Sequence, residues 1–131
     1  MRYPMRKAFT LVELMVVLMI VAILAAFTLP QFSTTINRSR ARSAVTNVAI
    51  IHAANALYRA RHGFNTNAAD LGTINTTLGL NIIGSGATYS CSGATQCQAS
   101  GTNYTVTGVL ANPLTDASNP SCAGTNCPPS P

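Results

Sequence analysis

A 21-residue and almost wholly apolar run near the N-terminus, from Phe9 to Leu29, constrains this chain more than any other feature. As a helix the run is roughly 32 Å long, which is enough to cross a bilayer. One carboxylate, that of Glu13, lies about one helical turn inside the edge of the run. Burying such a group in a membrane costs on the order of 2–3 kcal/mol. Glu13 therefore needs a partner, and the identity of that partner bears directly on function.

The basic residues before the run, Arg2, Arg6 and Lys7, are also typical of an ordinary secretory signal peptide. A signal peptide has an apolar stretch of only about 7–15 residues and an A-x-A cleavage site, whereas the matches around Ala25 and Ala26 are poor. A plain membrane anchor fits the length but leaves Glu13 unexplained. The N-terminal run therefore leaves two alternative interpretations open. One is an exported soluble domain with an ordinary signal peptide, and the other is a monomeric membrane-anchored surface protein.

The net charge of +5 is concentrated in the first half of the chain. After Arg61 the sequence has no Lys or Arg and only two acidic residues, Asp70 and Asp116. This distribution argues against a basic nucleic-acid surface on the distal domain, so no direct nucleic-acid site is evident. The sequence has three carboxylates, no Gly-rich phosphate loop and no supported Ser/His/Asp grouping. We therefore expect neither an enzyme nor a cofactor.

All four cysteines follow the apolar run and lie in a segment rich in Ser, Thr, Gly and Asn. An even number of cysteines behind an export-like N-terminus predicts two disulfides in an oxidising compartment. The spacings C-x5-C and C-x4-C are wider than the usual zinc hooks, so no metal site is expected. Of the three possible connectivities we prefer the local pairs, each of which brackets a short turn-rich loop: Cys91–Cys97 and Cys122–Cys127.

The residues from Gln31 to His62 contain neither Pro nor Gly and favour a continuation of the helix up to Gly63. Pro30 removes one backbone hydrogen bond, so we expect a kink just N-terminal to it. The continuation is apolar on more than one side, and a helix of this kind is covered on most sides. We expect the C-terminal domain to cover one face and the helices of neighbouring subunits to cover the other.

The C-terminal part predicts a small antiparallel β-sheet that lies against the helix and depends on disulfides. Alternation of polar and apolar residues predicts a strand over Tyr104–Leu110, and a weaker pattern predicts one over Ala87–Ser92. The segment Gly93–Asn103 is expected to turn between them. A short helical turn is expected over Ala68–Leu71, closed by Gly72.

The sequence AFTLVEL, from Ala8 to Leu14, resembles the cleavage motif G-F-T-L-x-E of type IV pilin and type II secretion pseudopilin precursors. The basic leader, the long apolar helix and Pro30 also resemble that family, which normally has Gly where this chain has Ala8. The resemblance covers roughly the first 40 residues. It implies cleavage between Ala8 and Phe9, and N-methylation of Phe9. It also implies that the new amine pairs with Glu13 of a neighbouring subunit.

The resemblance implies an α+β, pilin-like fold: a long N-terminal helix, half membrane-spanning and kinked near Pro30, packed against a small antiparallel sheet. The expected segments are a leader (1–8), a membrane or filament-core helix (9–29), an amphipathic continuation (30–62) and a disulfide-stabilised β-rich head (63–131).

It further implies a subunit of a type IV pilus-like filament for motility, adhesion or DNA uptake, with a type II secretion pseudopilin as the alternative. The implied partners are other subunits in a helical homo- or hetero-filament, prepilin peptidase and methyltransferase, an inner-membrane assembly platform, and membrane lipid before assembly. Before assembly the chain would cross the bacterial inner membrane once with a cytoplasmic N-terminus. Afterwards it would lie in an extracellular or periplasmic filament.

Overall fold

The computed structural model describes residues 9–92, 96–110 and 119–129, without the side chains of residues 28–30. The elements in chain order are α1 Leu11–His62, α2 Leu71–Leu78, β1 Thr88–Ser92, β2 Gln96–Gly101, β3 Tyr104–Val109 and β4 Ser121–Ala123. The predicted α+β fold, a long helix followed by a small antiparallel sheet, is confirmed. The chain divides into two compact units, one ending at Thr34 and the other beginning at Thr35.

The N-terminal unit consists, in its described part, of Phe9, Thr10 and the first part of α1. Every side chain from Phe9 to Phe27 is exposed. Because these residues are apolar on all sides of the helix, this unit has no single buried face of the kind that a soluble amphipathic helix presents.

In the second unit, α1 buries one stripe of side chains against the sheet. The buried residues recur at intervals of three and four, which places them on one helix face: Ala41, Ala44, Val48, Ile51 and Asn55. Ile50 and Leu57, on the opposite face, are 43% and 66% exposed. The sheet therefore covers one of the two apolar faces that the sequence indicates.

The four strands form an antiparallel sheet in the order β1-β2-β3-β4, so each strand pairs with its neighbour in sequence. Alternate residues of β3 face α1, as the predicted alternation requires, and Tyr104 and Val106 are buried there. From β2, Cys97 and Ala99 are buried in the same core. The head core is thus one layer of inward side chains between sheet and helix.

Two expectations for the head were wrong in detail, and one strand was not predicted. Instead of a turn over Ala68–Leu71 closed by Gly72, a helix begins at Leu71 and contains Gly72. Instead of turning throughout, the segment Gly93–Asn103 holds β2, which pairs with both β1 and β3. A fourth strand, β4, pairs with β3 without having been predicted.

Asp70 explains where α2 begins. Its Oδ1 accepts a hydrogen bond from the Thr73 backbone N–H at 2.9 Å, and its Oδ2 accepts one from the Thr73 hydroxyl at 2.9 Å. These are the contacts of a helix N-cap. The Thr73 N–H, followed by the Thr73 hydroxyl, holds the pKa of the Asp70 carboxyl below its usual 3.8. Gly79, in a left-handed conformation with φ of 67°, ends the helix.

Two polar side chains on the buried face of α1 tie the helix to the rest of the head. Asn55 Oδ1 accepts a hydrogen bond from the Thr66 backbone N–H at 2.9 Å. His52 Nε2 lies 3.0 Å from the carbonyl oxygen of Val109, to which it donates in the matching tautomer. Because such contacts require one position along the helix, they fix the position of α1 relative to Thr66 and to β3.

Both disulfides join cysteines that are close in sequence. Cys91 is bonded to Cys97, and these residues lie directly opposite each other on β1 and β2. Cys122 of β4 is bonded to Cys127. These are the local pairs preferred from the sequence.

Candidate processing and assembly site

Helix α1 begins with a hydrogen-bonded cap formed by Thr10. The Thr10 hydroxyl oxygen accepts a hydrogen bond from the Glu13 backbone N–H at 3.3 Å. The Thr10 carbonyl accepts the first helical bond, from the Leu14 N–H, also at 3.3 Å. An N-cap residue has both roles, because its side chain replaces a missing partner of the first turn. Phe9 and Thr10 therefore precede the helix, and Phe9 is 74% exposed.

The Glu13 side chain is exposed in the first turn of α1 and makes no ion pair with any described residue. A carboxylate at this end of a helix interacts favourably with the helix dipole. The cap uses the backbone N–H of Glu13, so the structure records no role for its carboxylate within the described chain. The carboxylate is available to a positive group from elsewhere.

The helix surface around Glu13 is apolar, and no described residue covers it. More than half of each large apolar side chain near the start of α1 is exposed, including Leu11, Val12, Leu14 and Met15. Such a surface is stable only in lipid or against other apolar surfaces. By length and composition, no single helix among the described residues qualifies as a membrane span. The segments Leu11–Phe27 and Gln31–His62 of α1 meet the criterion only when counted together.

Two of the predicted site residues lie outside what the structure describes. Ala8, on the leader side of the expected cleavage site, belongs to the segment before the described chain. The side chain of Pro30 is likewise outside the described residues. Cleavage after Ala8, methylation of Phe9 and the kink at Pro30 all stay predictions.

The head contributes a half-open groove of about 490 Å³ between the C-terminal ends of α1 and α2. Its lining includes Leu57, Tyr58, Arg61 and His62 from α1, but no carboxylate and no thiol. Across the described ranges, no three His, Cys, Asp or Glu side chains come together as a metal site requires. The groove therefore offers no carboxylate that could act as a general acid or base.

From the sequence, Thr10 was assigned only to the cleavage motif, and its role as the N-cap of α1 was not predicted. The signal was present, because T-L-V-E from Thr10 to Glu13 has the S/T-x-x-E spacing of a capping box. The structure shows the half of that box in which the hydroxyl accepts a bond. Asp70 was missed as a cap in the same way.

One comparison with known proteins gives a match, and it falls on this segment. A family model described as "Prokaryotic N-terminal methylation motif" matches residues 4–29. No curated protein matches the chain, and no solved structure does. The matched residues include Phe9, Thr10, Glu13 and the uncovered apolar surface of α1. Residues 4–29 thus carry the N-terminal methylation motif of membrane-anchored type IV pilin and pseudopilin precursors.

Proposed function

We propose that this protein is a structural subunit of a type IV pilus-like filament. A prepilin peptidase cuts it between Ala8 and Phe9, and the Phe9 amine is then methylated. The observation that carries the proposal is the start of α1, where one carboxylate lies within an apolar surface that none of the described residues covers.

In this mechanism the precursor waits in the inner membrane and lipid covers the first part of α1. On assembly, the corresponding helices of neighbouring subunits replace the lipid. The apolar area removed from water is then nearly unchanged, so moving a subunit from bilayer to filament has a small net free energy. An inner-membrane assembly platform supplies the work that moves the subunit into the filament, and the same platform sets the direction of assembly.

Glu13 gives the filament its register. Within an apolar helix bundle, a carboxylate and an amine attract each other far more strongly than in water. The desolvation of both groups offsets much of that attraction, so the pair contributes little net stability. A subunit placed one turn out of register would leave both charges buried without partners. The pair of Glu13 with a neighbour's Phe9 amine therefore selects one axial stagger.

The head forms the filament surface and stands in an oxidising compartment, which suits its two disulfides. A type II secretion pseudopilin is the second candidate. Major pseudopilins typically bind calcium through carboxylates of the head, and Asp70 is the single acidic residue among the described residues of this head. That composition favours a pilin of motility, adhesion or DNA uptake.

Mass spectrometry of the N-terminus tests the proposal on protein purified from native membranes or surface filaments. We expect a chain that begins at methylated Phe9. A chain that begins near Thr28 would instead identify a secreted protein with an ordinary signal peptide. An intact Met1 would show that Ala8 blocks processing and that Glu13 has another role.

A further inference from the structure

We propose that the groove between the C-terminal ends of α1 and α2 binds a short acidic saccharide. One sugar ring packs against the stacked rings of Tyr58 and His62, and the carboxylate of the sugar pairs with Arg61. The site uses no residue of the N-terminal unit, so binding at it does not depend on filament assembly. Its biological use, attachment of the filament to acidic polysaccharide, rests on the proposed function.

The size and lining of the groove suit a small ligand. Its volume of about 490 Å³ falls in the range of roughly 300–1,000 Å³ that holds drug-sized ligands, and a disaccharide is of that size. Apolar side chains, among them Ala54, Leu57 and Leu80, line the groove together with polar groups of Arg61 and Thr77. A mostly apolar lining with a few polar groups is typical of small-molecule sites.

Two of the lining residues offer a flat aromatic surface. The rings of Tyr58 and His62 are stacked, with centroids 4.1 Å apart and planes 20° apart. Phe64 meets the Tyr58 ring edge-on, at 6.0 Å between centroids, and supports it from the side. The face of an aromatic ring is electronegative. A sugar ring presents C–H groups that pack against such a face, so this surface suits a saccharide.

The end of α2 supplies hydrogen-bond acceptors to the groove. Gly79 and Leu80 both donate their backbone N–H to the carbonyl oxygen of Asn75. The carbonyl oxygens of Thr77 and Leu78, which also line the groove, have no donor among the described residues. The negative end of the α2 dipole lies at the same place. A ligand that fits this end of the groove must therefore bring hydrogen-bond donors, as sugar hydroxyls do.

His62 adds one more acceptor. Its Nδ1 lies 3.1 Å from the carbonyl oxygen of Tyr58 and donates to it. In the neutral ring the lone pair is then on Nε2, which has no partner among the described residues. A second sugar hydroxyl can donate to this nitrogen.

Arg61 supplies the positive charge of the groove. Its side chain is exposed, and no described carboxylate pairs with it. Asp70, the single acidic residue among the described residues of the head, is the N-cap at the opposite end of α2. A guanidinium binds a carboxylate through two parallel hydrogen bonds. The groove thus matches a ligand that has one carboxylate as well as several hydroxyls.

A nucleic-acid strand also combines flat rings with negative charge, but the groove fits it less well. A strand is held through many phosphates on basic side chains, whereas the sequence after Arg61 has no Lys or Arg. Phosphate oxygens accept hydrogen bonds and do not donate them. The free carbonyls of Thr77 and Leu78 would therefore repel a phosphate and bind a sugar hydroxyl.

The test follows the backbone amides of the isotope-labelled full-length chain by NMR in micelles of an uncharged detergent. The acidic probes are digalacturonate and sialyllactose, and their neutral counterparts are digalactose and lactose. We expect saturable shifts of the amides at positions 77–80 with the acidic sugars. The neutral sugars lack the charge-assisted bonds to Arg61, so we expect them to bind at least about tenfold more weakly. Absence of saturable shifts with both acidic sugars would overturn the inference, as would equal binding of acidic and neutral sugars.

Arg61→Gln and Arg59→Gln form a matched pair of variants. Each removes one exposed positive charge from the last turn of α1, but only Arg61 lines the groove. We expect Arg61→Gln to weaken binding of the acidic sugar about tenfold, and Arg59→Gln to stay within about twofold of the native chain. Equal weakening by the two variants would show a general attraction of charges and would contradict a site at Arg61.

Variants of Tyr58 test the aromatic surface. Tyr58→Phe keeps the ring and is expected to bind as the native chain does, whereas Tyr58→Ala is expected to bind about fivefold more weakly. Amides of the sheet, away from the groove, report whether each variant is folded. Native affinity in a folded Tyr58→Ala would rule out packing of the sugar on this ring.

A short oligothymidylate, titrated in the same way, separates the two classes of ligand. Tighter binding of the oligothymidylate than of the acidic sugars at the same amides would overturn the inference in favour of a nucleic-acid strand. The titration uses the unprocessed chain, so its result is independent of cleavage after Ala8. A chain that binds acidic sugar but is never processed would defeat the proposed function alone. A chain that is processed and forms filaments, but binds neither acidic sugar, would defeat this inference alone.

Discussion

Gly108 of β3 lies directly against Val48 of α1: a Cβ atom placed on Gly108 would come within 2.7 Å of Val48 Cγ1. Val48 is fully buried and Gly108 faces the same core. The absence of a side chain at position 108 is therefore what lets the helix approach the sheet here. The short distance between helix and sheet at this contact therefore depends on both Val48 and Gly108.

Gly108→Ala is expected to destabilise the head, because its methyl group must displace Val48 or move the helix. Overpacking of this kind costs about 1–3 kcal/mol. The chain has no Trp and four Tyr, so thermal unfolding of the chain in detergent can be followed by near-ultraviolet tyrosine dichroism. Ser90→Ala, on the exposed side of β1, is the control and should leave the midpoint nearly unchanged. A midpoint for Gly108→Ala equal to that of the control would contradict this packing.

Ile50 and Ile51 offer a matched pair, since they are neighbours in sequence and differ in burial. Ile51 is 0% exposed and Ile50 is 43% exposed. Ile51→Ala leaves a cavity under the sheet, and we expect a loss of about 2–5 kcal/mol in the free energy of unfolding. Ile50→Ala should cost much less in the isolated chain. Equal losses in the two variants would show that the buried face of α1 is assigned wrongly.

The long elements of this fold follow from the sequence, and the short ones do not. Helix α1 follows from the absence of Gly and Pro over 31–62, and β3 from strict alternation. Helix α2, LGTINTTL, consists of weak helix formers between its two leucines, and it forms because Asp70 caps it and Ile74 is buried. Strand β2, QCQASG, has low strand propensity and is held by pairing on both sides.

The candidate site, too, can be predicted from the sequence only in part. Glu13 and its apolar surroundings can be predicted from the sequence, because a carboxylate in such a run is costly wherever the run is buried. The role of Thr10 depends on which backbone N–H its hydroxyl meets, and that requires the geometry. The pattern T-L-V-E alone does not distinguish a cap from an exposed threonine within a longer helix.

Substitution of Glu13 should separate processing from assembly in cells. We expect Glu13→Ala to insert and be cleaved normally but to give at least about tenfold fewer filaments, because a buried amine would lack its partner. The measurement compares the yield of sheared filaments with the amount of mature chain left in the membrane. Filaments of normal yield from this variant would rule out charge pairing as the basis of register.

The cap of α2 predicts a dependence on pH. Because hydrogen bonds from Thr73 lower the pKa of the Asp70 carboxyl in the folded chain, its contribution to stability is fully present above the usual pKa of 3.8. That contribution decreases as the pH falls below this value and through the lowered pKa. The difference between native chain and Asp70→Ala in exchange protection of the α2 amides should therefore shrink below about pH 3.8. Asp70→Asn, which caps without a charge, should keep its protection over the same range.

The two edges of the sheet affect whether many copies of this head can lie close together without aggregating. An open strand edge offers free backbone groups to any other strand and is a common route to aggregation. On one edge, Cys91 of β1 exchanges two backbone hydrogen bonds with Ala68, at 2.7 and 3.0 Å. On the other edge, β4 is three residues long and runs directly into the loop closed by Cys122 and Cys127. Identical heads held side by side at high local concentration therefore have little free edge through which to fuse their sheets.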